Sequence, residues 1–186
     1  MYLGSTAVGR SAFFLGGQSG TTYTVFGSNA NEMRINFSKK IWVAGRASIG
    51  ISSTYTGDST NMALVTLGGY TTLTTGNMSS RGIGWRKAGG TSSVVELIVH
   101  NGTTFASVAT TKTLAFREQF EYMIYSDGAG NVTLYIDGAQ AATTSSGPTG
   151  STADFGGIYR EQVEQNSTAT TRLSMHSYGG ILYSER

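Results

Sequence analysis

The sequence predicts an all-β fold, a two-sheet antiparallel β-sandwich with jelly-roll topology. Short segments rich in Val, Ile, Thr, Tyr and Phe recur along the chain, separated by clusters of Gly, Asn, Ser and Asp. The 186 residues include 26 Gly and 1 Pro, so Gly, Asn and Asp must form the turns. No segment has a convincing helical period, and at most one helical turn is expected, in residues 114–122. About a dozen short strands require two packed sheets.

A three-stranded meander is the clearest local prediction. In its central strand Val132, Leu134 and Ile136 alternate with polar or amphipathic residues, which is the period of a half-buried strand. Glycine-containing turns at 127–130 and 137–138 separate this strand from its two neighbours. The meander comprises residues 119–126, 131–137 and 139–144.

The remaining strand candidates have the same composition but weaker alternation. They are residues 21–26, 32–37, 41–49, 62–67, 82–86, 94–100, 103–109, 155–160, 170–177 and 180–184. No internal repeat or interdomain linker interrupts them. We therefore predict one jelly-roll domain, residues 13–186, preceded by an N-terminal arm, residues 1–12, whose patterning is weak.

Composition and charge exclude several classes of function. Charged residues make up 13% of the chain and the net charge is +2, with no Lys/Arg-rich run, so nucleic-acid binding is not expected. The two adjacent basic pairs, Lys39-Lys40 and Arg86-Lys87, are predicted to lie at solvated strand ends. The chain has no Cys, which excludes disulfides and thiolate metal sites. No signal-peptide pattern and no apolar run long enough to span a membrane are found.

The sequence lacks recognisable catalytic spacing. A glycosidase needs two carboxylates facing one cleft, but Glu118 and Glu121 are three residues apart and would lie on opposite faces of a strand. His100 and His176 are the only histidines, and a metal site would need a third ligand that the fold brings close and that the sequence does not show. Asp127 and Asn131 are expected to form a turn and not a calcium site. We therefore predict no catalytic residue, no metal and no cofactor, and a protein that is not an enzyme.

Aromatic side chains are the remaining candidates for recognition, because sugar rings stack on Trp and Tyr faces. Trp42 and Trp85 lie within predicted strands and are expected in the core. Tyr55 and Tyr70 lie in polar loops, and with Tyr178 they are predicted to contact a glycan or a protein partner. The sequence does not decide between these two kinds of partner.

Six segments in the last hundred residues carry a family resemblance, and the fourth of them has the pattern Gly-Asn-Val-Thr-Leu-Tyr-Ile-Asp-Gly. The segments are residues 83–86, 96–104, 120–125, 130–138, 147–148 and 182–186. Through these segments the chain resembles concanavalin A-like (laminin G-like) jelly rolls, of the kind found in phage and other viral structural proteins.

The resemblance implies a non-enzymatic virion protein, assembled in the host cytoplasm. The first expectation is a capsid decoration or cement subunit of a bacteriophage. Its partners would be the major capsid protein or another virion protein, and it would form a homo-oligomer, a trimer, through a loop edge and the arm. The alternative is a carbohydrate-binding adhesin of a tail fibre or tailspike, with a cell-surface glycan as its ligand. A glycan-cleaving enzyme is disfavoured by the carboxylate spacing.

Overall fold

The computed structural model describes residues 13–16, 20–26, 35–50, 62–69, 77–87, 93–115, 118–150, 159–165 and 174–185. These residues form twelve strands, paired antiparallel throughout. The strands are β1 (Phe13–Gly16), β2 (Gly20–Phe26), β3 (Ile41–Gly50), β4 (Met62–Gly68), β5 (Gly82–Lys87), β6 (Val94–His100), β7 (Phe105–Thr113), β8 (Gln119–Ser126), β9 (Val132–Ile136), β10 (Ala139–Thr144), β11 (Tyr159–Gln165) and β12 (Ser174–Ser184). The predicted arm, residues 1–12, lies outside the described residues.

The strands build two six-stranded sheets, and the predicted two-sheet antiparallel sandwich is confirmed. The first sheet has the order β1-β12-β3-β8-β9-β10 and the second the order β2-β11-β4-β5-β6-β7. Strands far apart in sequence, such as β12 and β3, are therefore neighbours in space. Between β7 and β8 the backbone N–H of Glu118 donates to the carbonyl oxygen of Ala115 at 3.2 Å. Part of the predicted helical turn lies outside the described residues, so it stays a prediction. No helix in the described part of the chain is long and apolar enough to cross a membrane.

The predicted meander is confirmed as β8, β9 and β10. Asp137 and Gly138 join β9 to β10 with φ angles of 51° and 81°. Positive φ at both positions is the conformation of the tight hairpin turn whose twist matches that of the strands. Between β8 and β9, the Asp127 carboxylate accepts hydrogen bonds from the backbone N–H groups of Ala129 and Asn131 at 2.7 and 3.0 Å. The predicted turn therefore occupies this position.

Strand ends differ from the prediction where the alternation is weak. The described parts of the strands predicted at 170–177 and 180–184 belong to one strand, β12 (Ser174–Ser184), whose register shifts between Ser177 and Gly180. The glycines at this point allow a bulge where the sequence suggests a break. Residues 35–37 are not a strand, although Phe37 is fully buried. The strand predicted at 103–109 lies further along the chain, as β7. The described part of the strand predicted at 155–160 belongs to β11, which continues to Gln165.

The core lies between the two sheets and is formed by the alternate side chains of each strand that point inward. In β8, Phe120, Tyr122 and Ile124 are buried while the intervening residues face outward. Trp85 of β5 is fully buried, with its ring centroid 5.2 Å from that of Phe120 and 5.4 Å from that of Tyr122. The prediction that Trp85 packs in the core is confirmed, because Trp85 joins the two sheets.

The outer face of the second sheet is also buried in the described part of the chain. Leu64 and Thr66 of β4 alternate with core residues, so they point away from the sandwich, yet neither is exposed. Ile98 of β6 is equally buried. The segment before β5 covers this face: Met78, itself only 2% exposed, lies over Gly84. A third layer therefore covers the middle of the second sheet.

Gly84→Ala is expected to destabilise the protein because the sheet leaves no room for a methyl group. A Cβ at Gly84 would lie 2.4 Å from the backbone oxygen of Val65 and 3.1 Å from the Met78 methyl group. Overpacking of this kind costs about 1–3 kcal/mol. Urea denaturation would measure the loss. Gly150→Ala is the control, because nothing lies within 4 Å of a Cβ there, although its positive φ adds some strain; equal losses would contradict the packing argument.

Candidate functional site

Three aromatic side chains form a continuous row on the outer face of the first sheet. Tyr183 of β12 is paired with Trp42 of β3, which is paired with Tyr125 of β8. The ring centroids of Tyr183 and Trp42 are 5.2 Å apart, and those of Trp42 and Tyr125 are 5.1 Å apart. We call these three residues the aromatic row. It crosses three adjacent strands at a right angle to their direction.

Alternation in β3 and β8 makes the aromatic row face outward. Ile41 and Val43 are both buried on either side of Trp42, and Ile124 and Ser126 are both buried on either side of Tyr125. Because successive side chains in a strand point to opposite faces, Trp42 and Tyr125 must point away from the core. The prediction that Trp42 packs in the core is therefore wrong. Its immediate neighbours were the signal that could have placed it outward.

The aromatic row is open to solvent at one end. Tyr183 is 59% exposed, while Trp42 and Tyr125 are half-buried, in contact with each other. At the other end, the row continues into two hydroxyl groups. Tyr125 pairs with Thr133 of β9, and Thr133 pairs with Thr143 of β10. Their Oγ1 atoms are 3.2 Å apart. The surface thus changes from apolar ring faces to hydroxyl groups along a single line.

A charged pair shares this face with the aromatic row. The Arg46 guanidinium of β3 donates a hydrogen bond to the Glu121 carboxylate of β8, and their side chains are 48% and 61% exposed. Arg46 is four residues from Trp42, which corresponds to about 13 Å along the strand. The small side chain of Ala44 lies between them. The face therefore offers stacking surface, hydroxyl groups and one ion pair within reach of a single extended ligand.

A second polar cluster lies on the outer face of the second sheet but is buried. Arg86 of β5 donates to the Glu96 carboxylate at 2.8 Å and to the Asn77 side-chain oxygen at 2.7 Å. Its guanidinium also lies 5.2 Å from the ring centroid of Phe105. Arg86 is only 9% exposed, so the predicted solvated strand end is wrong for Arg86. These contacts hold the covering segment on the sheet and present no open surface to a ligand.

His100 does not have the geometry of an acid–base catalyst. It is 6% exposed, and its Nδ1 accepts a hydrogen bond from the backbone N–H of Gly102 at 3.0 Å. Burial lowers its pKa, and the nearby positive charge of Arg81 lowers it further. The imidazole is therefore neutral near pH 7, and its hydrogen bond stabilises the turn after β6.

A chain of hydroxyl and carboxylate groups connects the two sheets through the interior. The Tyr122 hydroxyl of β8 lies 2.8 Å from the Tyr159 hydroxyl of β11, which donates to the Glu161 carboxylate at 2.7 Å. Burial raises the pKa of both tyrosines. Since Glu161 is only 1% exposed, this cluster joins the sheets and is not a substrate surface.

The predicted contact residues are not placed by the described structure. Tyr55 and Tyr70 lie outside the described residues. Tyr178 lies at the register shift of β12, and its side chain is not described. Their role stays a prediction. No cluster of three or more His, Asp or Glu side chains suited to a metal ion occurs among the residues that the structure places.

The fold of the chain is similar to that of enzymes that cleave polysaccharides. No family model and no curated protein matches the sequence. A crystallised alginate lyase of polysaccharide lyase family 7 is similar over 97% of this chain and 82% of its own, with 11% identity and a TM-score of 0.56. An alginate lyase from Pseudomonas aeruginosa covers 81% of this chain and 67% of its own, with 9% identity and a TM-score of 0.50. The jelly-roll prediction is confirmed.

A toxin domain shares the same fold. The binding domain of botulinum neurotoxin serotype D is similar over 94% of this chain and 39% of its own length, with 13% identity and a TM-score of 0.59. Identities this low establish the fold and do not transfer a function.

These comparisons contradict the prediction of a non-enzymatic virion protein. The solved structures that match nearly the whole chain include several polysaccharide lyases, so the fold occurs in enzymes that act on polysaccharides. The prediction of a capsid decoration subunit is wrong by this comparison, and so is the prediction that the chain is not an enzyme. Carboxylate spacing bears only on hydrolysis by paired carboxylates, and polysaccharide lyases do not need that pair. The predicted viral context and oligomeric state stay predictions.

Proposed function

We propose that this chain is a carbohydrate-processing protein that holds a polysaccharide on the aromatic row. The exposed ring of Tyr183, in contact with Trp42, carries the proposal. Large aromatic faces at the surface of a protein commonly mark a binding site, and pyranose rings stack on such faces. The alginate lyases that share the fold support a polysaccharide as the ligand.

The ion pair beside the aromatic row contains the two kinds of group that a polysaccharide lyase reaction needs. A lyase needs a group that removes a proton and a group that stabilises the negative charge that develops. The Glu121 carboxylate and the Arg46 guanidinium are of these two kinds, and they face the same side as Trp42. We propose them as the first residues to test for a role in cleavage.

Trp42→Ala is expected to weaken polysaccharide binding by about tenfold or more, equal to 1.4 kcal/mol or more. Trp42 is the centre of the aromatic row, so its loss removes a stacking face and the support of both neighbouring rings. Affinity electrophoresis through gels containing sodium alginate or a neutral polysaccharide would measure the retardation. Tyr135→Ala is the matched control, because Tyr135 is an outward tyrosine on the same sheet outside the row. Equal loss in both variants would contradict the proposed surface.

Cleavage is tested separately from binding. Purified protein incubated with alginate should produce new chain ends, detected as ultraviolet absorbance of unsaturated sugars or as reducing ends. Arg46→Ala and Glu121→Gln should each lower the rate. Retardation in the gel without new chain ends, across acidic and neutral polymers, would contradict processing and leave a binding protein.

A further inference from the structure

We propose that Asp137 is a positioning residue for the Arg46–Glu121 pair, which it supports from the side opposite Arg46, and that Lys112 holds Asp137 in place. This role rests on the proposed function, because Asp137 and Lys112 would act on cleavage through Glu121. The contacts that carry it do not involve the aromatic row. They are the backbone contact between Glu121 and Asp137 and the separate partners of the two Asp137 carboxylate oxygens.

Glu121 lies where the regular pairing of β8 with β9 ends. The last paired residues are Tyr122 and Ile136, so the residue opposite Glu121 is Asp137, the first residue of the hairpin turn. The Asp137 backbone N–H donates to the Glu121 carbonyl oxygen at 2.9 Å. In return, the Glu121 backbone N–H donates to Oδ1 of Asp137 at 2.9 Å, where a regular ladder uses a backbone carbonyl oxygen. The Asp137 side chain therefore completes the pairing of Glu121.

The backbone of Glu121 is thus held on both sides at the position of the ion pair. On its other side, Glu121 is paired with Arg46 of β3. The two side chains are 61% and 48% exposed, so water competes with the contact between them. An ion pair this exposed adds little rigidity by itself. A fixed backbone limits the positions that the Glu121 carboxylate can take, and a group that reacts with a substrate needs such a limit.

Lys112 of β7 holds the other oxygen of the Asp137 carboxylate. Its ammonium group donates to Oδ2 of Asp137 at 3.4 Å and to the Glu118 carboxylate. A rotation of the Asp137 carboxylate away from the Glu121 N–H would therefore also weaken its contact with Lys112. The hydrogen bond to Glu118 raises the pKa of Lys112, so its ammonium group is charged at neutral pH. The edge strand of the second sheet thus supports a residue of the first sheet.

A matched pair of substitutions isolates the hydrogen bond that the Asp137 side chain accepts. Asp137→Gly removes the acceptor and Asp137→Asn keeps one, while both new residues tolerate the φ of 51° at this position. Steady-state kinetics on sodium alginate should give a kcat about ten- to a hundredfold lower for Asp137→Gly, with KM nearly unchanged. Asp137→Asn should restore kcat to within about threefold of the wild-type value. Assays run well below the melting temperature of each variant, so that kcat reports on folded protein.

Two further measurements distinguish positioning from a general loss of structure. Asp127→Gly weakens the other turn of the meander, at the opposite end of β8 from Glu121, and should leave kcat and KM unchanged. Hydrogen exchange measured by NMR reports on Glu121 without a substrate. The Glu121 amide proton should exchange faster in Asp137→Gly than in Asp137→Asn, because only glycine leaves it without an acceptor.

The outcomes separate this role from the proposed function. Full activity of Asp137→Gly, together with loss of activity in Glu121→Gln, would overturn the positioning role and leave the function standing. Equal losses in Asp137→Gly and Asp137→Asn would overturn it too, because the carboxylate charge and not the hydrogen bond would then matter. So would an equal loss in Asp127→Gly. If the wild type cleaves neither sodium alginate nor a neutral polysaccharide, or if Glu121→Gln is fully active, the proposed cleavage and the positioning role fail together.

Discussion

Trp85→Ala is expected to lower the free energy of unfolding by about 3–5 kcal/mol. Trp85 is among the largest fully buried side chains, and its ring contacts Phe120 and Tyr122 of the opposite sheet. Its removal leaves a cavity between the sheets that neighbouring strands cannot close, because each is fixed by hydrogen bonds on both sides. A typical domain has only about 5–15 kcal/mol of stability, so this single change removes a large share.

Trp85→Phe distinguishes the contribution of ring packing to stability from that of the indole N–H group. The Nε1–H group of Trp85 is buried without a hydrogen-bond partner in the described structure. An unpaired buried hydrogen-bond donor is itself destabilising. The substitution by phenylalanine therefore reduces the packed ring volume but also removes the cost of burying the N–H group. Urea denaturation at neutral pH should give a clearly smaller loss for Trp85→Phe than for Trp85→Ala. If the two losses are equal, the ring does not join the sheets as described.

Lys87→Met is expected to remove a pH dependence of the free energy of unfolding above neutral pH, amounting to on the order of 3 kcal/mol or less. Lys87 lies on the interior face of β5, paired with Ala63 and Val95 of the core, and is fully buried. The prediction that the Arg86-Lys87 pair lies at a solvated strand end is wrong for Lys87 as well, because β5 continues to this residue and turns it inward. Burial lowers the pKa of Lys87 to about 8. Methionine has a similar length and carries no charge.

The pH dependence follows from the direction of this shift. Between pH 8 and 10.5 the unfolded chain still holds the Lys87 proton while the folded chain has released it. The Lys87 contribution to stability therefore rises with pH through this interval. Tyr122 and Tyr159 act in the opposite direction above pH 10, because burial raises their pKa values and the unfolded chain loses their protons first.

Denaturation curves of the wild type and Lys87→Met at several pH values between about 7 and 9.5 isolate the lysine, since both proteins contain the same tyrosines and their contribution cancels in the difference. The wild type should gain stability with rising pH across this interval relative to Lys87→Met. Lys39→Met is the control, because Lys39 is exposed. A constant difference at all pH values would mean that Lys87 does not release its proton on folding.

Local sequence patterns predicted the strands and turns that are determined by a few consecutive residues. The meander follows from alternation at Val132, Leu134 and Ile136 with glycine turns on both sides, and each of these strands forms with nearly the predicted ends. Trp85 was placed correctly because it lies in a strand whose alternate residues are apolar. Boundaries failed where a bulge keeps one strand continuous, as between Ser177 and Gly180.

The aromatic row could not be predicted from local patterns because its members come from three distant strands. Tyr183, Trp42 and Tyr125 meet only through the registers of β12, β3 and β8. Nothing within a few residues of Trp42 specifies which strands lie beside it. Tyr55 and Tyr70 were chosen for their polar surroundings, a criterion that finds exposed residues but not residues that lie together. The functional prediction was wrong for a related reason. Proteins with a jelly-roll fold have many different activities, so the fold alone does not identify the activity.

The opposite positions of the two tryptophans give this protein a pair of independent optical reporters. Trp42 and Trp85 are its only tryptophans, one at the surface and one between the sheets. A ligand on the outer face, or a water-soluble quencher such as acrylamide, should change the fluorescence of Trp42 and leave that of Trp85 largely unchanged. Loss of the packed interior should shift the emission of Trp85 to longer wavelength. Trp42→Phe and Trp85→Phe would assign each signal, so occupancy and unfolding can be followed in one sample without an added dye.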